Sequence, residues 1–538
     1  TYFFDPNYYL NLSDDKLVNM QKKEHSLSKN LKNRNFSQYT LILIIIIGIA
    51  CLSRFYYFPT EIPLTADALY YFWYSSDIYQ IGKLPNNWTP TNNGWPIFVS
   101  VFFTILDSKD VFTLMEIQKL LSVVISVLIT IPVYFLCKKF VARKFAIIGA
   151  SFIAFDPRLM INSFLGVTDP LYLLLVSTGL TLFLSSNKKL VFCSFALISL
   201  STIVRGEGII FLVFLFILFF IRYRKEKYKI IFSYAIILII ILSIVMPMTI
   251  YRIDVNGNDP IFTRSISSVN EITIERSINE NINFKIFEGL KNFIQFLIWI
   301  TIPNFIIFLP LGIFLIFQKK NFGKNTIIVS AFIMMIPGFY AYTFPANPAL
   351  DTRYLYTLFP IFSVLAVLSI NRVIGKVNKS NTIIVIIISL IILSSLLFYD
   401  YKKIDYDHEK ESFEIMKDIS LKVKGVNNLP TESRYLSTIQ TINQWPTPYS
   451  EIEFNIEIIS YQNEDNLQDW ISKSKDKGLT HILIDNNQQR PDFLKEIFFE
   501  ETKYTYLKKI YDSRNQGFDY QLKVFEINYE LFESLKDN

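Results

Sequence analysis

The chain has 538 residues, 51% of them hydrophobic, with 49 Phe and 31 Tyr and a formal net charge of +6. Charge-free apolar runs such as 40–53 (TLILIIIIGIACLS) and 381–397 (NTIIVIIISLIILSSLL) recur along it, on the scale of the roughly 20 residues a bilayer-spanning helix needs, which excludes a soluble or a disordered chain. Residues 401–538 hold 18 Lys/Arg against 25 Asp/Glu, a net of −7 that leaves +13 on residues 1–400, so the basic excess sits in short loops beside the apolar runs and does not indicate nucleic-acid binding.

In chain order, residues 1–39 lack an apolar stretch and carry Lys16, Lys22, Lys23, Lys29, Lys32 and Arg34. They are expected to form a cytoplasmic basic tail. Eleven spans are then predicted, at about 40–58, 112–136, 145–163, 169–186, 190–204, 208–221, 230–250, 291–317, 325–344, 354–371 and 381–398. Each basic cluster (Lys138 to Lys144, Lys188 with Lys189, Arg222 to Lys229, Lys319 to Lys324, Arg372 to Lys379) then falls on the tail's side. That places the 58–111 loop, the 157–168 turn, the Arg205 turn, the 252–288 and 345–353 loops and residues 401–538 on the other side of the membrane. The two spans around Arg205 are short, as expected for a turn sunk into the outer leaflet.

Residues 401–538 read as a soluble α/β domain. Residues 479–485 have the pattern of a buried strand. Residues 505–511 and 520–528 alternate like a hairpin around Gly517, and 465–477 look helical. The three cysteines (Cys51, Cys137, Cys193) lie in or near apolar segments, and the three histidines (His25, His408, His481) lie outside the spans. Neither a disulfide framework nor a histidine metal site is expected.

Charged residues gather at the outer ends of the spans. Asp67 follows the first span, Asp156 and Arg158 end the third, and Asp169 opens the fourth. Arg205 and Glu207 separate the fifth and sixth, and Asp351 and Arg353 precede the tenth, which opens with Tyr354, a further candidate site residue. Charges at membrane depth are costly and mark functional cavities. A carboxylate there can act as general base and an arginine can grip a phosphate. Each also has a structural reading: Asp169-Pro170 as a helix start, Arg158 and Arg353 as headgroup anchors, and Arg205 with Glu207 as a pair within a turn. Asp67, in an aromatic stretch expected along the membrane surface, has no evident capping role. Trp88 and Trp95 are expected to be interface anchors.

The order of Asp67, Asn92-Asn-Gly-Trp-Pro-Ile97, Thr168-Asp-Pro-Leu-Tyr172, Thr202-Ile-Val-Arg-Gly-Glu-Gly208 and Asp351-Thr-Arg-Tyr354 resembles the GT-C superfamily of membrane glycosyltransferases, especially the branch of protein O-mannosyltransferases and aminoarabinose transferases. The resemblance covers about 40–372. It implies a mainly α, polytopic helix bundle at 40–400 with a C-terminal extracytoplasmic α/β domain. It further implies transfer of a sugar from a polyprenyl (dolichyl)-phosphate donor to a hydroxyl acceptor on a glycan, lipid or protein, at the bilayer's outer face. On this resemblance Asp67 matches the catalytic base, Asp169 the acid opening the fourth span, and Arg205 and Arg353 the donor-phosphate ligands. Gly206 stands where the family's Arg-Pro-Glu-Gly turn has proline. Ala68 follows Asp67 where O-mannosyltransferases have glutamate. The Trp-Trp-Asp-Tyr-Gly motif of oligosaccharyltransferases is absent, which argues against en bloc N-glycan transfer.

No metal is expected to be required, a divalent ion bridging Asp67, Asp156 or Asp169 to phosphate being the alternative. The 252–288 loop is placed to close over the donor. A plasma membrane is the expected location, ahead of an endoplasmic reticulum. Two other readings remain open at this point: a transporter or flippase of a lipid-linked saccharide, and a non-catalytic membrane assembly subunit.

Overall fold

The computed structural model describes residues 38–259, 282–343, 351–402 and 466–536, with parts of 407–419, apart from 61, 65, 109, 319–320, 376, 378–379, 477 and 487–490. The basic tail, most of the 252–288 loop, 344–350 and 420–465 lie outside the described residues.

The predicted spans coincide with helices. α1 is Gln38–Tyr56. The 58–111 loop folds into α2 (Ala66–Ile81) and α3 (Gly94–Leu106). α4 (Val111–Leu128) and α5 (Thr130–Cys137) form one apolar rod, and α6 (Arg143–Ala154) and α7 (Pro157–Phe164) a bent one. α8 (Asp169–Phe183), α9 (Lys188–Val204), α10 (Gly208–Tyr223) and α11 (Lys229–Asn256) follow. The predicted eighth span is two helices, α12 (Ile282–Trp299) and α13 (Leu309–Phe317), joined by turns. α14 (Phe322–Thr343), a 3-10 helix (Thr352–Leu358), α15 (Phe359–Ile374) and α16 (Ser380–Tyr401) complete the bundle.

Among the described residues six helices are long and apolar enough to cross a membrane, or seven if α6 and α7 make one span. α8, α9 and α10, with 15, 17 and 16 residues, are shorter than that length. The protein is thus a polytopic membrane protein whose short helices cluster around the Arg205 turn.

Burial separates centre from rim. The span made by the 3-10 helix and α15 is 72% buried over its most apolar window, whereas α1, α11 and α16 are 22%, 17% and 22% buried. Apolar helices with so little protein cover are faced by lipid. α6 lies at the centre, with every residue from Phe145 to Ala154 buried.

Local sequence sets the breaks. The α6–α7 rod bends by 45° because Pro157 has no N–H to continue the α6 ladder and fits the first turn of a new helix. α9 stops at Arg205, whose backbone is extended, and α10 resumes at Gly208. A Cβ on Gly208 would lie 2.8 Å from Ser201 Oγ and the Thr202 nitrogen, so this hairpin needs glycine there.

Beyond α16 come α17 (Leu467–Lys475), β1 (His481–Asp485), α18 (Asp492–Phe499), β2 (Leu507–Asp512), β3 (Leu522–Ile527) and α19 (Tyr529–Lys536). The strands form an antiparallel sheet in the order β1-β3-β2. Gly517, with φ of 88°, stands between β2 and β3. Trp470, Ile471, Ile482, Ile484, Ile497 and Phe525 form the core between helices and sheet.

Candidate active site

Connectivity places the start of α2, the starts of α8 and α10, the end of α9 and the 3-10 helix at the bundle end opposite the basic clusters. Hydrogen bonds fasten these stretches together. Gly166, at φ of 71°, turns its carbonyl to Trp95 Nε1 at 2.9 Å and to Gln118 Nε2 at 2.8 Å. The same Gln118 amide donates to the Ala68 carbonyl at 2.9 Å. The backbone beside Asp67 and the chain entering Asp169 are therefore held by one buried side chain. Lys119 adds hydrogen bonds to the carbonyls of Pro59 and Ile62, at 3.1 and 2.8 Å.

Arg205 is heavily engaged. Its side chain is 13% exposed. One amino group contacts the Asp169 carboxylate, the other lies 2.8 Å from Glu207 Oε1, and Nε donates to Glu207 Oε2 at 3.3 Å. The guanidinium stands 5.8 Å from the ring centres of both Tyr172 and Tyr354, within cation–π range. Burial alone would lower the Arg205 pKa, but the Asp169 and Glu207 charges lift it well above its usual value. Burial raises the Glu207 carboxyl, and the Arg205 charge outweighs this and leaves it below its usual value.

Arg353 pairs through Nε with the Asp351 carboxylate, and its Nη2 lies 3.6 Å from Asp67 Oδ2. Its side chain is 26% exposed and that of Asp67 61% exposed. Asp67 lies in the first turn of α2, where the helix dipole favours an acid, a role the sequence reading did not give it. Asn92 bridges the two halves: its amide donates to the Tyr71 hydroxyl at 3.2 Å and its carbonyl accepts from the Gly206 N–H at 3.3 Å.

Between these groups opens a narrow cleft lined by Asp169, Tyr172, Arg205, Glu207, Arg353 and Tyr354, with Ser126 and Asn162 also in its wall. Asp169 Oδ2 and Asn162 Nδ2 are buried without a hydrogen-bond partner among the described residues. Asp67 is not in the lining and stands beside Arg353.

Asp156 and Arg158 do not join this group. Asp156 caps α7, its Oδ1 accepting from the N–H groups of Arg158 and Leu159 at 3.0 and 3.1 Å. Arg158 donates to the Ile302 carbonyl and stacks 4.9 Å from the Phe398 ring, so it ties α7 to the α12–α13 connection and to α16 rather than reaching for headgroups. Trp88 and Trp95 are buried: Trp88 Nε1 donates to Asp77 Oδ2 at 2.7 Å within the 58–111 loop, and Trp95 ties that loop to Gly166, correcting their assignment as interface anchors.

Asp67, Asp156 and Asp169, the acids considered for a metal, are engaged separately, and no three His, Cys, Asp or Glu side chains converge among the described residues. Sequence reasoning missed Asn92 as a bridge, although it lies in a quoted motif. It also missed the buried Arg252–Asp259 pair, whose signal was an arginine inside the last turns of an apolar helix.

No protein-family model and no curated protein matches the chain in sequence. Solved structures do match in shape. ArnT from Cupriavidus metallidurans bound to undecaprenyl phosphate matches with a TM-score of 0.55 at 9% identity, over 90% of this chain and 97% of that one. The same protein in the apo state gives 0.56 at 9% identity, over 90% and 98%. The apo oligosaccharyltransferase of Archaeoglobus fulgidus gives 0.51 at 11% identity, over 83% of this chain and 69% of that one. At these identities the likeness shows the fold alone, and this chain shares the fold of ArnT and of the archaeal oligosaccharyltransferase.

Proposed function

We propose that the protein is a GT-C glycosyltransferase that moves a sugar from a polyprenyl-phosphate donor to a hydroxyl acceptor at the outer face of the membrane, with inversion. The observation that carries this reading is the gathering of Asp67, Asp169, Arg205, Glu207 and Arg353, from four separate stretches of chain, at one end of the helix bundle. A donor with its chain in lipid and its sugar phosphate at the surface suits a cleft at the end of such a bundle.

In the proposed step, Asp67 takes the proton of the acceptor hydroxyl as its oxygen attacks the anomeric carbon. The bond from that carbon to the phosphate oxygen breaks, and the polyprenyl monophosphate leaves. Arg353 exchanges part of its contact with Asp67 and Asp351 for the phosphate, and Arg205 supplies a second, more deeply held positive charge. Asp169 and Glu207 orient Arg205. The step is written with these side chains and without a required metal.

The tail at 1–39 is proposed to be cytoplasmic. The domain at 401–538 is proposed to be extracytoplasmic and to contact the acceptor, in a plasma membrane. A transporter reading is disfavoured because ion-coupled transport places ionisable groups near the midplane of spans, whereas the clustered charges here stand at helix ends.

Incubating the purified protein with labelled polyprenyl-phosphate hexoses tests the reading. Release of polyprenyl phosphate with transfer of label to an added acceptor is expected. Label that crosses sealed vesicles without cleavage would replace the transferase reading with transport.

A further inference from the structure

A second buried polar network lies outside the cleft and grips the chain on both sides of Asn92. Arg252, near the end of α11, is fully buried. Its Nη2 lies 3.0 Å from Asp259 Oδ2, and its Nη1 donates to Asn93 Oδ1 at 3.2 Å and to the Thr91 carbonyl at 3.4 Å. Neighbouring groups fasten the same two elements. Asn256 Nδ2 donates to the Thr89 carbonyl at 3.4 Å, Tyr251 donates to the Pro85 carbonyl at 2.6 Å, and the Tyr74 and Tyr251 hydroxyls are 2.8 Å apart.

A buried ion pair contributes little net stability compared with a packed apolar pair, because desolvation offsets its attraction. What this one adds is a fixed orientation. Residues 91 and 93 are both held by Arg252, and Asn92 between them is the side chain that joins Tyr71 of α2 to the Gly206 N–H.

We propose that Arg252, held by Asp259, is a positioning residue: by fixing residues 91–93 it makes Asn92 hold the Arg205–Gly206–Glu207 turn in register with the start of α2, where Asp67 stands. The proposal rests on the reading of the cleft as a glycosyl-transfer site. Arg252 does not line the cleft and acts through Asn92. Transfer is steep in geometry, and a displacement of about 1 Å at the reacting groups costs on the order of a hundredfold in rate.

The experiment follows hydrogen exchange in the peptide carrying Gly206 together with transfer kinetics. It compares wild type, Arg252→Gln, Arg252→Lys, Asp259→Asn, Asn92→Ala and the double variant Arg252→Gln/Asn92→Ala. Arg252→Gln, Asp259→Asn and Asn92→Ala should each speed Gly206 exchange by about tenfold. Each should lower kcat by about 10–100-fold with donor KM little changed. Arg252→Lys should recover part of both, and the double variant should be no worse than either single one, as for residues acting in series. Exchange and kcat at wild-type levels in Arg252→Gln, with only the melting temperature lowered, would overturn the proposal, as would additive effects in the double variant. If Arg252→Gln does not fold, Asp259→Asn with Asn92→Ala carries the same comparison. Faster exchange in Arg252→Gln in a protein whose wild type transfers no sugar supports the positioning role and removes only the transferase reading.

Discussion

Arg353 Nη2 lies 3.6 Å from Asp67 Oδ2, joining the 3-10 helix before α15 to the first turn of α2. With Asp67 61% exposed and Arg353 26% exposed, the contact is open enough to be exchanged for a ligand. The Arg205 cluster is closed by comparison, so the two arginines are expected to fail differently when removed.

Arg353→Ala should lower stability only modestly, since partly exposed ion pairs contribute about 1 kcal/mol. Transfer should drop by about 10²–10³-fold through loss of charge stabilisation on the leaving phosphate. Arg353→Lys should recover only part, because an ammonium lacks the planar fork. Steady-state kinetics beside a melting curve checks both, and a normal rate in Arg353→Ala would remove the residue from the mechanism.

Arg205→Ala should fail in stability first. It leaves Asp169 and Glu207 as two unpaired carboxylates in a site where Asp169 is 9% exposed. Breaking such a pair from one side costs about 3–5 kcal/mol. The variant should melt well below wild type, and Glu207→Gln should melt closer to it, since Asp169 stays paired. A wild-type melting point for Arg205→Ala would contradict the paired geometry.

Asp156→Ala and Arg158→Ala should change stability and not chemistry. Asp156 loses two cap hydrogen bonds, a cost of about 1 kcal/mol. Transfer per folded molecule should match wild type in both. A tenfold slower rate in a fully folded Asp156→Ala protein would return Asp156 to the site.

The turn's pH dependence should be one-sided. Glu207 is held below its usual value of 4.5 in the folded protein, so its contribution is complete above pH 4.5 and is lost as pH falls through the depressed value. Arg205 is raised well above its usual value by the Asp169 and Glu207 charges, so its contribution fades only beyond the usable alkaline range. The melting temperature should lose stability on the acid side, and Glu207→Gln should reduce that loss.

The spans were legible because an apolar run bounded by basic residues is a local signal that lipid enforces. The predicted runs coincide with α1, α4–α5, α6–α7 and most later helices to within a few residues, while α11 runs six residues past its predicted end and α12 begins nine residues before its predicted start. The division of 291–317 into α12 and α13 was not legible, since both halves are apolar and the turns between them carry no charge. The hairpin around Gly517 was legible from alternation, as burial on one sheet face requires.

The site was legible in its charged members and not in its wiring. Asp67, Asp169, Arg205, Glu207 and Arg353 stand out because charges are rare near apolar runs. Asp156 stands out equally, yet its extended backbone and the following Pro157 turn its carboxylate back onto α7. Both readings of Arg205 were present in the sequence, and the geometry gives it a structural pair inside a cleft wall. Asn92 was missed because its partners Tyr71 and Gly206 are set by how α2 packs against the turn after α9, which no local pattern encodes; Arg252 had a local signal near the end of α11, but its contacts with Thr91 and Asn93 are set by packing.

Asp67→Asn, assayed with a labelled polyprenyl-phosphate hexose, challenges the account most directly. The exchange is nearly isosteric at an exposed position, so the variant should fold and bind donor like the parent while glycosyl transfer falls by about 10²–10⁴-fold. Undiminished turnover in the asparagine protein would leave the Asp67 carboxylate without a part in the reaction and contradict the assignment.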